Sequence, residues 1–355
     1  MAGPMLGFIG AGFMGQTAHL ANYARLRDAG QCEIAGVVDL KQRLAGAVAE
    51  AYHLPRTYAT VDELLGDERI QGIVCVQQWP NNFALVKQIL RAGKSVITEK
   101  PMVGRMDEAK ELAVLAKARG LLYAVGFMKR YDTGVEQAKR LADDLRRSGE
   151  LGPLRAVDAV CHGGDWRQNE GGHITVDDPT PVPPSVPCYP DACRSPEHRR
   201  AYGYLVNIFS HNINLCHHLL AAELRPHSAI FLGDTGMIST AVGDDVLVTV
   251  RGASSAAPEW REYTTLTFAR GEIGIKTPVP LNRQQAAAVT LLRAQDGQFA
   301  MINYHAPIAW AFHRQAEGFV LALAGTASMR APAEACVWDV RVMSRMIEIG
   351  EVLPA

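Results

Sequence analysis

A glycine-rich turn between an apolar strand and a helix is the feature that most strongly constrains the fold of this chain. Residues 10–15 read GAGFMG, a G-x-G-x-x-G pattern, and directly follow the apolar run from Met5 to Ile9. The next segment, residues 16–30, is typical of a helix that ends at a glycine, and a second apolar strand then ends at Asp39. Strand, turn, helix, strand and acid in this order predict a βαβ unit of a parallel sheet.

Each part of this unit has a task in binding a dinucleotide. Gly10 allows the tight turn, Gly12 lets the backbone approach a pyrophosphate, and Gly15 lets the helix pack closely on the strand. The helix N-terminus offers backbone N–H groups and the positive end of its dipole to phosphates. The residues predicted to contact the cofactor here are Gly10, Gly12, Phe13, Met14, Gly15 and Asp39.

Asp39 also bears on the choice of cofactor. Its carboxylate can accept hydrogen bonds from the adenosine ribose diol, and it repels a phosphate on the 2′ oxygen. We therefore expect NAD, with NADP less favoured. Lys41 and Arg43 follow closely, and their positive charges weaken this preference.

The alternation of strands and helices continues through the first third of the chain. Strands are predicted at residues 70–76, 95–98 and 121–127, with helices at 81–93 and 106–120. The pattern implies a doubly wound, parallel Rossmann sheet, in which ligands bind beyond the carboxyl ends of the strands. The residues that this rule places near one crevice are Gln77, Gln78, Trp79, Glu99, Lys100, Met128, Lys129 and Arg130.

Composition narrows the class of protein further. A chain of 355 residues is natural for two domains, and 48% apolar with 21% charged residues is ordinary for a globular protein. The net charge of −1 provides no basic field for nucleic acid or a membrane surface, and no apolar run approaches the length of a membrane span. The N-terminus lacks the basic region of a signal peptide, and seven scattered cysteines suggest reduced thiols, so we expect a cytoplasmic protein.

A polar stripe interrupts an otherwise apolar helix at residues 205–215, LVNIFSHNINL. Asn207, His211 and Asn214 stand at i, i+4 and i+7, a spacing that puts all three on one face of an α-helix. The stripe is either a solvated or internally bonded face, or a face turned toward a substrate.

The last third alternates short apolar runs with turns, and it predicts an antiparallel sheet with one open face. ARGEIGI and AQDGQFAMI are hairpin signals, and helices are predicted at 311–324 and 335–350. Open sheet faces often pack between subunits, so we expect a homodimer or homotetramer. We expect a dinucleotide-binding domain at 1–127 and a substrate-binding and oligomerisation α/β domain at 128–355.

Three motifs resemble the glucose–fructose oxidoreductase, inositol dehydrogenase and rhizopine catabolism (Gfo/Idh/MocA) family. They are GFIGAGFMG at 7–15, AGKSVITEKPM at 92–102 and VGFMKRYDTG at 125–134, the last being especially similar to the inositol dehydrogenase branch. The resemblance covers nearly the whole chain. It implies an N-terminal Rossmann domain and a C-terminal α/β domain with an open, mainly antiparallel sheet.

The resemblance also implies roles for individual residues. Lys100 corresponds to the lysine that touches nicotinamide ribose and substrate, and His211 to the usual general acid or base. Asn207 replaces the usual aspartate four residues before this histidine, and Asn214 replaces a second common acid. Where the family often has Thr-Pro near the nicotinamide and a histidine before the next helix, this chain has Gln77, Gln78 and Asn82.

The implied chemistry is reversible oxidation of a secondary alcohol of a carbohydrate or cyclitol to a ketone. The hydroxyl proton needs a positioned base, for which the imidazole of His211 is suited. Lys100, as a cation, stabilises the developing alkoxide. Asn207 offers a hydrogen bond without charge, which predicts a less basic His211. Alternatively, Lys100 is the base and His211 only binds.

The region 162–202 contains seven prolines and predicts a long irregular insertion. Between 163 and 191 it carries five acids, Asp165, Glu170, Asp177, Asp178 and Asp191, against the single base Arg167. An acidic, aromatic lid suits a cationic sugar, such as an aminosugar or an aminoglycoside-like molecule, while a solvated loop or subunit contact is the simpler alternative. No metal site is predicted, because the spacing of Cys188, Cys193 and His198 matches no standard zinc pattern. The predicted substrate contacts are Lys129, Arg130, Tyr131, Asp165, Trp166, Asn207 and His211.

Two further functions remain open at the level of sequence. A tightly held NAD could oxidise and then re-reduce a sugar, as in family members that epimerise or cleave glycosides. The second open function is a non-catalytic sensor that binds a dinucleotide. The replacement of an aspartate by Asn207 favours this function, whereas the presence of Lys100 and His211 argues against it.

Overall fold

A parallel five-stranded sheet forms the N-terminal part of the computed structural model, which describes residues 3–168, 170–186, 188–295 and 297–354. Its strands have the order β2-β1-β3-β4-β5, and every neighbouring pair is parallel. The predicted doubly wound Rossmann sheet is confirmed. The strands are β1 (Met5–Ile9), β2 (Glu33–Val38), β3 (Gly72–Cys75), β4 (Ser95–Thr98) and β5 (Tyr123–Val125).

Helices connect these strands, and glycines follow the ends of three of them. A π-helical segment, Gly15–Leu20, leads into the first α-helix. Gly30, Gly93 and Gly120 adopt positive φ angles of 72°, 76° and 64° just after the helices that were predicted to end there. The helices are α1 (Ala21–Asp28), α2 (Gln42–Ala51), α3 (Val61–Leu65), α4 (Asn82–Arg91) and α5 (Met106–Ala118); α2 and α3 were not predicted.

The later part of the chain forms a nine-stranded mixed sheet and the remaining helices. The sheet order is β13-β12-β11-β10-β6-β9-β8-β7-β14, antiparallel except for the pairs β6–β9 and β7–β14. Both predicted hairpins are present, as β10–β11 and β12–β13. The strands are β6 (Leu154–Gly163), β7 (Arg225–Leu232), β8 (Gly236–Gly243), β9 (Val246–Ala253), β10 (Arg261–Phe268), β11 (Gly271–Lys276), β12 (Ala288–Gln295), β13 (Gln298–Tyr304) and β14 (Glu351–Leu353).

Alternating burial along these strands leaves one sheet face covered and the other open. In β7, Ala229 and Phe231 are buried, whereas Ile230 and Leu232 are exposed. Helices α6 and α8 pack on strands of the sheet. The helices of this part are α6 (Thr133–Ser148), α7 (Pro196–Tyr204), α8 (Ser210–Leu220), which continues the π-helical segment Leu205–Phe209, α9 (Ala311–Leu323) and α10 (Ala333–Ile349).

The chain divides into two compact units, and their composition differs from the expected single cut after residue 127. The first unit comprises Met1–Gly126, Glu170–Cys188 and Phe312–Val337, and the second comprises Phe127–Asn169, Tyr189–Ala311 and Trp338–Ala355. The segment Phe312–Val337 joins the first unit because α9 buries Ala316, Phe319 and Val320 in the core around β1 and β2. Sequence order alone could not assign this helix, since its apolar face fits any core.

Among the described residues, no helix combines the length and the apolar character required to cross a bilayer.

Candidate functional site

The glycine-rich turn of the first unit has a shape that only glycine allows at two of its three positions. Gly10 has a φ of 99°, and a Cβ there would collide with the carbonyl oxygen of Val76. A Cβ on Gly15 would lie 2.5 Å from the carbonyl oxygen of Gly10. Gly12 is exposed, and a Cβ there would have nothing within 4 Å. The open space at Gly12 fits the predicted close approach of the backbone to a pyrophosphate at this position.

Asp39 stands at the end of β2 and binds the turn directly. Its Oδ2 accepts a hydrogen bond from the Ala11 amide at 2.7 Å, and its Oδ1 accepts one from the Lys41 amide at 2.9 Å. These bonds fix the carboxylate beside the turn with lone pairs to spare, because a carboxylate offers about four acceptor sites. The arrangement fits the predicted role of binding a ribose diol.

The residues after β3 border the same turn. Gln77 Nε2 lies 2.7 Å from the position of an ideal Cβ on Gly10, so its side chain lies against the turn. Gln78 is exposed, and Trp79 begins a short 3₁₀ turn, Trp79–Asn81, with its ring against Gly104. Phe13 and Met14 are half-buried at the start of the helical segment. All of these predicted cofactor contacts therefore belong to the first unit, and contact with the cofactor remains a prediction.

The segment Glu99–Lys100–Pro101 follows β4 and is held by buried polar side chains. Asn82, 1% exposed, donates through Nδ2 to the carbonyl oxygens of Pro101 at 3.0 Å and Met102 at 3.2 Å. Glu99 accepts from the Lys100 amide at 3.1 Å, and its other oxygen lies 2.7 Å from Nε2 of buried His19. Asn82 stands where the family has a histidine near the nicotinamide, and its contact with the cofactor stays a prediction; its amide also holds the backbone that carries Lys100.

Lys129 and Arg130 have partners inside the second unit. Lys129, 5% exposed, forms an ion pair with Glu262, which also accepts from Asn212 at 3.0 Å and from the Trp260 indole at 3.3 Å. Arg130, 6% exposed, donates to Asn214 Oδ1 at 2.7 Å. Buried charges require such pairing, so these internal contacts account for both side chains without a substrate. Tyr131 is also buried, and contact of these three residues with a substrate remains untested.

The polar stripe of the 205–215 helix does not share one environment, contrary to the α-helical spacing argument. Residues Leu205–Phe209 form a π-helical segment, in which the Ser210 amide bonds to the Leu205 carbonyl five residues back. Asn207 is exposed, His211 is half-buried, and Asn214 is 1% exposed. Asn214 donates to Asp339 at 2.6 Å and supports the helix from its buried side. The edge of the Phe127 ring meets the imidazole of His211, with centroids 6.0 Å apart.

The acids of the insertion lie in different environments, and a lid role stays a prediction. Glu170 lies 3.0 Å from Nδ1 of His173, and Asp178 bonds to backbone amides of the first unit. Asp165 and Trp166 are exposed and belong to the second unit. Nowhere in the described part of the chain do three metal-binding side chains gather into a potential metal site.

Burial keeps the nearby cysteines protonated. Burial raises the pKa of Cys75, at the end of β3, to about 12, and burial followed by the charge of Glu262 raises that of Cys161 to about 12. Thiols with such pKa values are poor nucleophiles at neutral pH.

Several residues that build these networks were missed in the sequence. His19, Gln16 and Asp339 occupy helices whose apolar pattern gave them no separate signal. Glu262 did have one: it stands at a position of β10 that shares the buried face with Thr264, Leu266 and Phe268. A charged residue on the buried face of a strand signals a buried partner, here Lys129.

Comparison with known proteins agrees with this geometry. Residues 5–127 match the Gfo/Idh/MocA family model, described as an oxidoreductase family with an NAD-binding Rossmann fold. The bovine trans-1,2-dihydrobenzene-1,2-diol dehydrogenase is 27% identical over 178 residues, which cover 48% of this chain and 51% of that protein. Inositol 2-dehydrogenase 3 of Saccharopolyspora erythraea is 31% identical over 153 residues, or 42% of this chain and 43% of that protein.

The chain thus spans about half the length, or less, of the curated relatives that it matches. Its overall fold is similar to a 3-ketoreductase from Actinomadura kijaniata solved with TDP-benzene and NADP, with a TM-score of 0.75 at 16% identity over 99% of both chains. That likeness supports the fold of the whole chain. The match to the Gfo/Idh/MocA oxidoreductase family model covers residues 5–127, the part of the chain that holds the parallel sheet.

Proposed function

We propose that this protein is an NAD-dependent dehydrogenase that reversibly oxidises a secondary hydroxyl of a sugar or cyclitol to a ketone. The observation that carries the proposal is the first unit, in which the open Gly12 turn, Asp39 and the braced Glu99–Lys100 segment all follow strands of one parallel sheet. The named relatives oxidise a dihydrodiol and inositol, both of which bear ring hydroxyl groups.

In this mechanism the bound nicotinamide supplies the acceptor for the hydride that leaves the carbinol carbon. The imidazole of His211 takes the hydroxyl proton, and the ammonium group of Lys100 stabilises the alkoxide as the proton leaves. His19, Glu99 and Asn82 act through the backbone of Lys100, which they hold in place. Asn207 orients the imidazole by a hydrogen bond without adding charge.

Aminosugars form the narrower substrate class that we propose to test beside neutral sugars and cyclitols. Of the five acids in the insertion, Glu170 and Asp178 have partners in the first unit, whereas Asp165 is exposed in the second unit near Trp166. A carboxylate beside an aromatic ring suits an ammonium-bearing sugar. Asp165→Asn should therefore raise KM for an aminosugar several-fold while leaving KM for a neutral polyol unchanged.

Formation of NADH at 340 nm, with polyols, hexoses and aminosugars as a substrate panel, tests the proposal. We expect a signal that Lys100→Ala abolishes and that Lys87→Ala retains; Lys87 is a half-buried lysine on α4 whose ammonium group pairs with Glu111. Bound NAD without net NADH formation on any substrate would favour a redox-neutral enzyme. Failure to bind NAD at all would contradict the proposed function.

A further inference from the structure

A short segment of the insertion is fixed to the glycine-rich turn. We call residues 173–180 the strap. The Ile174 amide donates to Gln16 Oε1 at 2.8 Å, and Gln16 Nε2 donates back to the Ile174 carbonyl oxygen at 3.0 Å. The His173 ring meets the Phe13 ring edge-on, with centroids 5.0 Å apart. Because Gln16 is buried and follows the turn directly, the strap has one defined position along the edge of the turn.

The strap places a carboxylate on the N-terminus of α2. Asp178 Oδ2 accepts from the Arg43 amide at 2.9 Å, and the Leu44 amide also bonds to this carboxylate. The α2 helix receives no side-chain cap from Lys41, its own N-cap residue. Asp178 therefore accepts hydrogen bonds from the free N–H groups of α2 and places its negative charge at the positive end of the helix dipole. Both features would otherwise attract a phosphate.

Two further groups near Asp39, the Arg43 guanidinium and the Lys41 amide, also have partners. The Arg43 guanidinium donates to the carbonyl oxygen of Asp177 at 3.4 Å, and the Lys41 amide donates to Asp39. Hydrogen bonds from Thr180, together with the α2 amides, lower the pKa of Asp178 to about 2, so its charge is present throughout the neutral range. The Thr180 amide, 3.0 Å from Oδ1, also fixes the carboxylate in this position.

NADP differs from NAD by a phosphate on the 2′ oxygen of the adenosine ribose. Rossmann proteins receive this phosphate beside the residue at the end of the second strand, usually with an arginine. In this chain that place has two carboxylates, Asp39 and Asp178, and its arginine is bonded to the strap. We propose that Asp178 is a specificity-determining residue that excludes the 2′-phosphate and makes the site selective for NAD; this inference rests on the proposed binding of a dinucleotide.

Calorimetric titration of the full chain with NAD and with NADP tests the inference without requiring a substrate. We expect the wild type to bind NAD at least about tenfold more tightly than NADP, because the carboxylates of Asp39 and Asp178 repel the 2′-phosphate. Asp178→Asn keeps an oxygen for the α2 amides and removes the charge. It should tighten NADP binding about tenfold and change NAD binding by less than about twofold.

Two control variants separate charge at this position from general effects. Asp177→Asn removes a neighbouring exposed charge, and only the backbone carbonyl of Asp177 takes part in the contact to Arg43, so the NAD preference should persist. Asp178→Glu keeps the negative charge, so the preference for NAD over NADP should persist. In the wild type the ratio of the NADP and NAD dissociation constants should fall at high salt, because screening weakens the repulsion of the phosphate.

The outcomes distinguish this inference from the proposed function. If the wild type binds NAD and NADP equally, or if Asp178→Asn leaves their ratio unchanged while NAD still binds, the role of Asp178 is wrong and dinucleotide binding stands. If the wild type binds neither cofactor, the proposed function fails, and the inference fails with it.

Discussion

The clearest prediction for a single residue concerns Asn82, which binds the backbone next to Lys100. Replacement by alanine removes the donor from two buried carbonyl oxygens, of Pro101 and Met102. Leaving such groups unsatisfied costs about 1–3 kcal/mol, so Asn82→Ala should lower the free energy of unfolding by that amount in urea titrations. The kcat should fall as well, because the backbone next to Lys100 loses the hydrogen bonds that hold it in position.

The neighbouring residue provides the control for this change. Asn81 precedes α4 and makes no side-chain capping bond, so Asn81→Ala should leave both stability and kcat close to wild type. Equal effects of the two substitutions would contradict the bracing role of Asn82.

Asn207 allows a test of the general base at the same scale. A carboxylate near an imidazole stabilises its protonated form, so Asn207→Asp should raise the pKa of His211 in the variant. Oxidation needs the neutral imidazole, and the ascending limb of kcat/KM against pH should therefore move to higher pH, by about one unit. Asn207→Gln, which adds no charge, should leave the limb in place. An unmoved limb in Asn207→Asp would favour Lys100 as the base.

Helix α8 gives the stability of the protein a pH dependence through His218. Burial, followed by the positive charges of Arg130 and Lys139, lowers the pKa of His218 from 6.5 to about 3. Between pH 6.5 and 3 the unfolded chain binds a proton that the folded chain does not, so the free energy of unfolding falls as the pH falls through this range. The slope approaches about 1.4 kcal/mol per pH unit, the value for one proton.

Urea unfolding at pH 7.5, 6 and 5 should detect this dependence. His218→Gln should flatten it, because glutamine does not titrate. His305→Gln changes an exposed histidine and should keep the wild-type slope. An unchanged slope in His218→Gln would show that another group causes the acid sensitivity.

At the scale of elements, the same region shows where spacing rules fail. The i, i+4, i+7 argument assumes 3.6 residues per turn throughout, whereas Leu205–Phe209 is π-helical. The extra residue in the turn rotates Asn207 relative to Asn214, which lies buried against Arg130 and Asp339. The apolar residues of the segment satisfy either geometry, so the sequence contains no clear signal of the change.

For the whole molecule, the open face of the nine-stranded sheet supports the expected homo-oligomer. Its apolar side chains include Leu247, Met301 and Phe299, the last 84% exposed. Exposed apolar side chains on an open sheet face are common at subunit interfaces. We expect a dimer or tetramer by light scattering, and Leu247→Glu should shift it toward the monomer. Val114→Glu, which changes an exposed residue of α5, should leave the oligomeric state unchanged. A wild type that is monomeric would contradict the expectation.

The sequence alone determined the Rossmann part of this protein. The glycine turn, the period of the strands and helices, and the helix stops at Gly30, Gly93 and Gly120 are local signals, and local backbone chemistry fixes their outcome. The sequence also placed Asp39 beside the turn, because the carboxyl ends of neighbouring parallel strands meet at one edge.

Only the tertiary structure decided which distant residues complete these local elements. The contacts of Asp178 with α2, Gln16 with Ile174, and Lys129 with Glu262 join positions more than 100 residues apart. The assignment of α9 to the first unit is of the same kind. Such pairings depend on which surfaces meet, and an apolar face or a lone charge specifies only that it needs a partner, whereas the packed fold selects which one.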